Sequence, residues 1–156
     1  MNMRFKKMIF GFLLIIFFLF DRFLKVLAIN YFSDSSLGLF SNFFKFSFAK
    51  NYNIAFSLPL SGWWLNCLII VIIACLAFYF WQTYKNRNYY KTLFLLFILL
   101  GAVSNLYDRF KFGYVIDYFD LEYFTVFNLA DVMIVGGVLG ILFTIKFKRN
   151  TINKII

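Results

Sequence analysis

The feature that most constrains this chain is an uncharged apolar run, Trp63–Trp81. On an α-helix, at about 1.5 Å per residue, this run covers roughly 28 Å, which is close to the hydrocarbon thickness of a bilayer. A soluble domain of 156 residues could not bury it together with a composition that is 63% hydrophobic and includes 25 Phe. The run therefore predicts a membrane-spanning helix.

Three further apolar stretches are candidate spans, at residues 8–28, 92–106 and 127–147, beside the second span at 63–81. The first follows basic residues, as in a secretory signal, but no small-residue cleavage site comes after it, so we interpret it as an uncleaved first span. We predict an all-α membrane protein with four transmembrane helices, forming a single domain over residues 1–156.

Basic residues are distributed unevenly between the two sides that these spans define. Three segments that share one side hold ten of the sixteen basic residues and none of the seven acids: Met1–Lys7, Gln82–Lys91 and Lys146–Ile156. Cytoplasmic loops are enriched in Lys and Arg, so both termini are predicted to be cytoplasmic. The net charge of +9 is then a topology signal, with some attraction to anionic lipid headgroups, and needs no nucleic-acid partner.

Two outer loops remain, at residues 30–62 and 107–126. The first is long for a connector in so small a protein, which suggests a functional role. Within it, Phe44–Phe48 alternates apolar and polar residues, which indicates a strand or short hairpin whose Phe face lies on the membrane or against the spans. In the second loop, Gly113 permits a turn and Tyr114–Ile116 favours an extended strand.

Ionisable groups at membrane depth are costly, so each of them needs a reason. Asp21 and Lys25 are four residues apart on one helical face, where they form either a structural ion pair or a direct contact to a substrate. Asn105 and Arg109 have the same spacing. They either hold a peptide backbone or carboxylate, or cap the helix end and anchor it at the interface.

Two aspartates are candidates for paired chemistry. Asn128 is a good N-cap for the last helix, and Asp131 then falls in the first turn, where the helix dipole alone would explain an acid. Asp117 precedes it in the same outer region, and the two carboxyls can meet if the chain between them loops back. Two carboxyls in contact share a proton, so one can activate water while the other polarises a carbonyl. This is aspartyl-peptidase chemistry.

The chain contains no His, which excludes a Ser–His–Asp hydrolase and argues against the usual zinc sites. Its two cysteines, Cys67 and Cys75, lie two helical turns apart, too far for a disulfide, and we interpret them as packing residues. We expect no metal and no cofactor.

Taken together, these motifs resemble those of the signal peptidase II family, the lipoprotein signal peptidases. The resemblance covers most of the chain and is carried, in order, by Asp21 with Lys25, Asn51 with Ala55-Phe56-Ser57, Asn105–Arg109 with Gly113–Tyr118, and Phe127–Asp131. Four residues depart from the family pattern: Arg22, Leu24, Asn53 and Ser104.

The resemblance implies three kinds of role for nine residues. These are catalytic for Asp117 and Asp131, substrate-binding for Asn51, Asn105, Arg109 and Asn128, and structural support for Asp21, Lys25 and Asp108. The implied protein is an aspartyl endopeptidase of the bacterial inner membrane, with its active site at the outer face beside a small extracytoplasmic β-cradle. It would remove the signal peptide from diacylglyceryl-modified prolipoproteins by cutting before the lipidated Cys. We expect it to be a monomer among membrane lipids.

Two other functions are compatible with the composition. A small membrane transporter or proton-handling subunit would carry acids along the depth of the bilayer, but the middles of the second and third spans hold no charge. A catalytically inactive relative that binds lipoproteins would keep the same fold, although no essential group is missing here.

Overall fold

The computed structural model describes residues 3–40, 43–53, 62–123 and 125–152. It contains four long helices, which are α1 (Met3–Tyr31), α2 (Trp63–Lys85), α3 (Tyr89–Phe112) and α4 (Leu129–Ile152). The described residues also form four strands, namely β1 (Leu37–Phe40), β2 (Phe44–Asn51), β3 (Val115–Leu121) and β4 (Val126–Phe127). The prediction of a mainly helical protein with a small sheet is confirmed.

Within the described residues, three helices are long and apolar enough to cross a membrane: Trp63–Lys85, Tyr89–Phe112 and Leu129–Lys146. Many of their large apolar side chains are exposed, as expected when lipid surrounds them in place of a protein core. The chain is therefore a multi-pass membrane protein. Cys67 and Cys75 are free thiols, as predicted, but both are exposed on α2, so they are not the buried packing residues that we expected.

Helices α3 and α4 form the most extensive helix contact, and glycines make it possible. A Cβ on Gly101 of α3 would lie 2.5 Å from the backbone oxygen of Ala130 at the start of α4. A Cβ on Gly137 of α4 would lie 2.8 Å from the backbone oxygen of Phe94. Only a residue without a side chain permits backbones to approach so closely, and small residues have this role where membrane helices pack.

The four strands form one antiparallel sheet in the order β1-β2-β3-β4. It packs on the C-terminal part of α1 through a buried cluster of Leu24, Ala28, Phe46, Ile116 and Tyr118. Phe46, from the alternating segment, is buried in this cluster, so that face of β2 lies against the helices. The sheet thus draws the two connecting loops together at one end of the bundle.

The end of helix α3 determines the direction in which the chain enters β3. Helix α3 continues to Phe112, beyond the apolar stretch that ends at Leu106, and stops at Gly113. Gly113 adopts a left-handed conformation (φ 81°), and its N–H donates to the backbone oxygen of Arg109 at 3.0 Å. Glycine accepts this conformation without steric cost, so the chain can turn sharply from α3 into β3.

Candidate active site

A buried ion cluster joins α1 to α3. The Lys25 Nζ lies 3.3 Å from Asp21 Oδ2 and 2.7 Å from Asp108 Oδ2, and all three side chains are fully buried. Removing charges from water costs several kcal/mol per ion, so they are tolerated only when paired and hydrogen-bonded. The structure thus contains the predicted Asp21–Lys25 ion pair and adds Asp108 as its third member.

Arg22 brings a second cation to this cluster. Its Nη1 lies 2.5 Å from Asp108 Oδ1 and donates to Ser104 Oγ at 3.2 Å. The Ser104 hydroxyl in turn donates to Asp21 Oδ2 at 2.5 Å, and the guanidinium lies 4.5 Å from the ring centroid of Tyr107. Two residues that depart from the family pattern, Arg22 and Ser104, therefore contact each other. Together with Lys25, Arg22 balances the two carboxylates.

Asn105 connects the ion cluster to Asp131. Its Oδ1 accepts a hydrogen bond from Lys25 Nζ at 2.8 Å, and its Nδ2 donates to Asp131 Oδ1 at 2.8 Å. Because a charged donor fixes one side of the amide, the other side presents its N–H group to Asp131. The ion cluster thus orients a carboxylate that it does not touch.

Asn128 caps α4, as its sequence position predicts. Its Oδ1 accepts from the Asp131 N–H at 2.9 Å, and the Asn128 N–H donates to Asp131 Oδ2 at 3.2 Å. Reciprocal bonds of this kind between the N-cap residue and the residue three positions later satisfy two N–H groups that the helix itself leaves free. They hold the Asp131 carboxylate at the positive end of the helix dipole.

The same Asn128 side chain also reaches Asp117. Its Nδ2 donates to Asp117 Oδ1 at 2.6 Å, while Asn51 Nδ2 donates to Asp117 Oδ2 at 2.9 Å. Asp117 is only 2% exposed. One amide therefore binds Asp117 and caps the helical turn that carries Asp131, so the intervening segment does loop back.

The pKa of Asp117 is raised to about 7, first by burial and second by the nearby Asp131. Hydrogen bonds from Asn51 and Asn128 and the charge of Lys25 act in the opposite direction. A carboxyl whose pKa lies near 7 retains its proton for a large fraction of the time at neutral pH. The two aspartates can therefore carry one proton between them, which supplies an acid and a base.

Arg109 lies partly buried, within electrostatic range of both aspartates. Its Nη2 donates to the backbone oxygen of Asn53 at 3.0 Å, which ties α3 to the segment after β2. Its Nε is buried and has no hydrogen-bond partner in the part of the chain that the structure describes. A buried donor without a partner is uncommon and costly, so this N–H is free for a ligand.

Sequence reasoning missed Tyr118, which follows Asp117 in β3. Its hydroxyl donates to Asp21 Oδ1 and accepts from the Leu129 N–H, each at 2.9 Å. Neighbouring strand residues point to opposite faces, so the position of Asp117 carried no information about the partners of Tyr118. The motif residues Ala55, Phe56 and Ser57 lie outside the described residues.

Two carboxyls, three amides and a guanidinium thus meet at the end of the helices where the sheet packs. This set can take a proton from water, protonate a carbonyl oxygen and hydrogen-bond a peptide backbone. In the described stretches of the chain, no group of three or more His, Cys, Asp or Glu side chains could hold a metal ion. Fold and site together define a small multi-pass membrane protein with paired carboxyl groups at one end of its helices.

The chain belongs to the signal peptidase II family, because the family model for signal peptidase II matches residues 13–147. It is similar to the lipoprotein signal peptidase of Caldicellulosiruptor bescii, with 39% identity over 82% of this chain and 84% of that protein. It is also similar to the lipoprotein signal peptidase of Clostridioides difficile, with 31% identity over 75% of this chain and 80% of that protein.

A solved structure has the same fold. It is a bacterial membrane enzyme determined at 2.3 Å resolution, and it superposes with a TM-score of 0.77. The superposition covers 96% of this chain and 91% of that one, at 21% sequence identity. A likeness at this level of identity concerns the fold alone.

Proposed function

We propose that this chain is an aspartyl endopeptidase that removes the signal peptide from prolipoproteins, cutting just before the diacylglyceryl-modified Cys. The family and the named relatives support the signal peptidase activity. One observation carries the aspartyl chemistry, which is that the Asn128 side chain binds Asp117 and caps the turn that bears Asp131.

In the proposed reaction, Asp131 is the ionised partner, because the start of α4 favours a negative charge there. Asp117 is the protonated partner, since its pKa is raised to about 7 and it keeps its proton in roughly half of the molecules at neutral pH. Asp131 removes a proton from water as the water oxygen attacks the scissile carbonyl carbon, and Asp117 gives its proton to the carbonyl oxygen. When the C–N bond breaks, the proton on Asp131 passes to the leaving nitrogen. Asp117 then recovers its proton from the hydroxyl of the collapsing intermediate.

We assign the substrate pocket to four residues around this pair. They are Asn51, Asn105, Arg109 and Asn128. The unpartnered Nε of Arg109 supplies a donor for a backbone carbonyl of the signal peptide, and its cation lies close enough to stabilise negative charge in the transition state.

Three buried ions, Asp21, Lys25 and Asp108, support the pocket indirectly. Lys25 fixes Asn105, and Asn105 donates to Asp131. Asp108 Oδ2 also accepts from the Ile116 N–H at 3.3 Å, which ties β3 to the same cluster. We propose that these three ions brace the pair, because their hydrogen bonds reach Asp131 through Asn105 and reach β3 through the Ile116 N–H.

For the topology, we propose that α1 is a fourth span, that both termini are cytoplasmic, and that the sheet and site lie at the outer face of the bacterial inner membrane. The ten basic residues of the predicted cytoplasmic segments support this orientation, as do the seven acids that all lie elsewhere. We expect residues 1–156 to act as one domain and as a monomer surrounded by membrane lipids.

The central test replaces each aspartate separately by its amide. We expect Asp117→Asn and Asp131→Asn each to reduce cleavage of a diacylated precursor by at least about a hundredfold, since general acid–base groups contribute on this scale. Cleavage by purified protein in detergent, followed by the size of the product, measures this.

Asp120→Asn is the matched control, because Asp120 lies on the same strand but outside the pair. It should cleave at the rate of the unmodified protein. Full activity in either Asp117→Asn or Asp131→Asn would rule out the aspartyl mechanism. Complete inactivity of the unmodified protein on diacylated precursors would favour an inactive lipoprotein-binding relative.

A further inference from the structure

The buried Tyr118 lies between the two aspartates along the chain, and its hydroxyl contacts the start of the helix that carries Asp131. It follows Asp117 in β3 and is 0% exposed. Its ring packs 5.4 Å from that of Phe46 and 4.7 Å from that of Phe119, measured between centroids. These apolar contacts account for the ring but not for a hydroxyl group at this depth, because a buried hydroxyl without partners costs free energy.

The hydroxyl has two specific partners. It donates to Asp21 Oδ1 on α1 and accepts from the Leu129 N–H at the start of α4, both at 2.9 Å. Burial first, and the charge of Asp21 second, raise the pKa of Tyr118, so the phenol keeps its proton. Its role as a donor to Asp21 is therefore constant over the working pH range.

These bonds act on the first turn of α4, which carries Asp131. The first N–H groups of a helix have no partner within the helix. Here the Leu129 N–H goes to the Tyr118 hydroxyl and the Ala130 N–H goes to Asp21 Oδ1 at 3.1 Å. The turn is therefore held from outside by a phenol–carboxylate pair, and not by its own cap alone.

We infer that Tyr118 is a positioning residue, whose hydroxyl sets the separation of Asp117 and Asp131 by tying strand β3 to the first turn of helix α4. The backbone of Tyr118 is continuous with Asp117, and its side chain binds a backbone N–H two residues before Asp131. A shift of the phenol relative to Leu129 would therefore displace one carboxyl from the other. This inference rests on the proposed catalytic role of the two aspartates.

The first test is Tyr118→Phe, which keeps the ring and its packing and removes only the hydroxyl. We expect kcat to fall about tenfold or more, because small displacements of catalytic groups have effects up to about a hundredfold. KM should change by less than about twofold, since loss of transition-state geometry lowers kcat and leaves binding intact. Tyr114→Phe is the control, because Tyr114 is half-buried just before β3 and its ring stacks on Phe112.

A double-mutant cycle separates positioning from packing. Leu129→Pro removes the N–H at a helix position where Pro is well tolerated, and Leu129→Ala corrects for the loss of the leucine side chain. Adding Tyr118→Phe should lower kcat about tenfold in the Leu129→Ala protein, as in the unmodified protein, and less than about twofold in the Leu129→Pro protein.

Three results would contradict the positioning role of Tyr118. An unchanged kcat in Tyr118→Phe, or an equal loss in the Leu129→Pro background, would overturn it. A loss of folded protein with unchanged kcat per folded molecule would show that the hydroxyl is structural only, which also contradicts it. Failure of the proposed function is distinguishable, because it would appear as full activity in Asp117→Asn, whatever Tyr118→Phe does.

Discussion

Asn128 can hold both aspartates because its amide has a donor and an acceptor on one planar group. The NH2 group donates to the Asp117 carboxyl, and the oxygen accepts from the Asp131 N–H. An aspartate here could cap the helix equally well but would repel Asp117, and a serine would be too short to serve both. At the scale of single residues, the choice of Asn over other capping residues is explained by the second carboxyl.

The raised pKa of Asp117 predicts a signed pH dependence. Cleavage should decline as pH rises through about 7, because Asp117 then loses the proton that it donates in the proposed reaction. The free energy of unfolding should also decrease as pH rises. Between about pH 4 and pH 7 the folded state keeps a proton that the unfolded chain has lost, so this group lowers the free energy of unfolding as pH rises. A pH–rate profile and thermal unfolding at several pH values measure the two effects.

Asn51→Ala tests whether the decline in cleavage above about pH 7 comes from the titration of Asp117. The Asn51 hydrogen bond lowers the pKa of Asp117, so its removal should move the alkaline limb of the profile to higher pH. Asn66→Ala, on α2, is the control and should leave the limb in place, because the described side-chain hydrogen bonds to Asp117 come from Asn51 and Asn128. A limb that stays fixed or moves to lower pH in Asn51→Ala would contradict the assignment of that limb to Asp117.

At the scale of elements, the contact between α3 and α4 sets the distance between Asn105 and Asp131. Gly101 abuts the backbone oxygen of Ala130, one residue before Asp131, and an added methyl would lie 2.5 Å from it. By contrast, a Cβ on Gly136 would meet only Phe97 at an ordinary 3.5 Å. An added methyl group would therefore clash at Gly101 and fit at Gly136.

Gly101→Ala should therefore lower the free energy of unfolding by about 1–3 kcal/mol, the usual cost of overpacking, and reduce cleavage. Gly136→Ala should leave the protein as stable or stabilise it by up to about 1 kcal/mol, because Ala favours helix more than Gly does. Thermal unfolding in detergent compares the two. Equal stability of both variants would show that the helices do not pack as closely as described.

Much of the element structure was predictable. The alternating Phe residues predicted β2, Tyr114–Ile116 predicted the start of β3, and Asn128 predicted the start of α4, since these depend on local periodicity and capping. The end of α3 at Phe112 was not predicted. Its last residues are amphipathic and continue the helix beyond the apolar stretch, where hydropathy no longer marks the boundary.

At the scale of the whole molecule, the site lies where the sheet meets the helices, and in the proposed topology this end of the bundle lies at the membrane surface. A substrate anchored in the membrane by acyl chains would approach it with little further loss of freedom. We therefore expect the diacylated precursor to be cleaved at least about tenfold faster than the same precursor without lipid, because remote binding energy contributes to catalysis. Parallel time courses on the two forms test this, and equal rates would contradict it.

The sequence by itself determined the membrane-spanning character, the charge asymmetry and the family, because long apolar runs, Lys and Arg distribution and ordered motifs are local properties of the chain. It also identified Asp117 and Asp131 as candidates. The tertiary structure alone decided that Asn128 serves both of them, that Arg22 and Ser104 complete the ion cluster, and that Tyr118 ties β3 to α4. The Arg22–Ser104 contact joins residues 82 positions apart, and the contacts of Asn128 with Asp117 and of Tyr118 with Leu129 join different elements across 11 residues. Hydrogen-bond partners on different elements depend on how those elements pack, which no local pattern specifies.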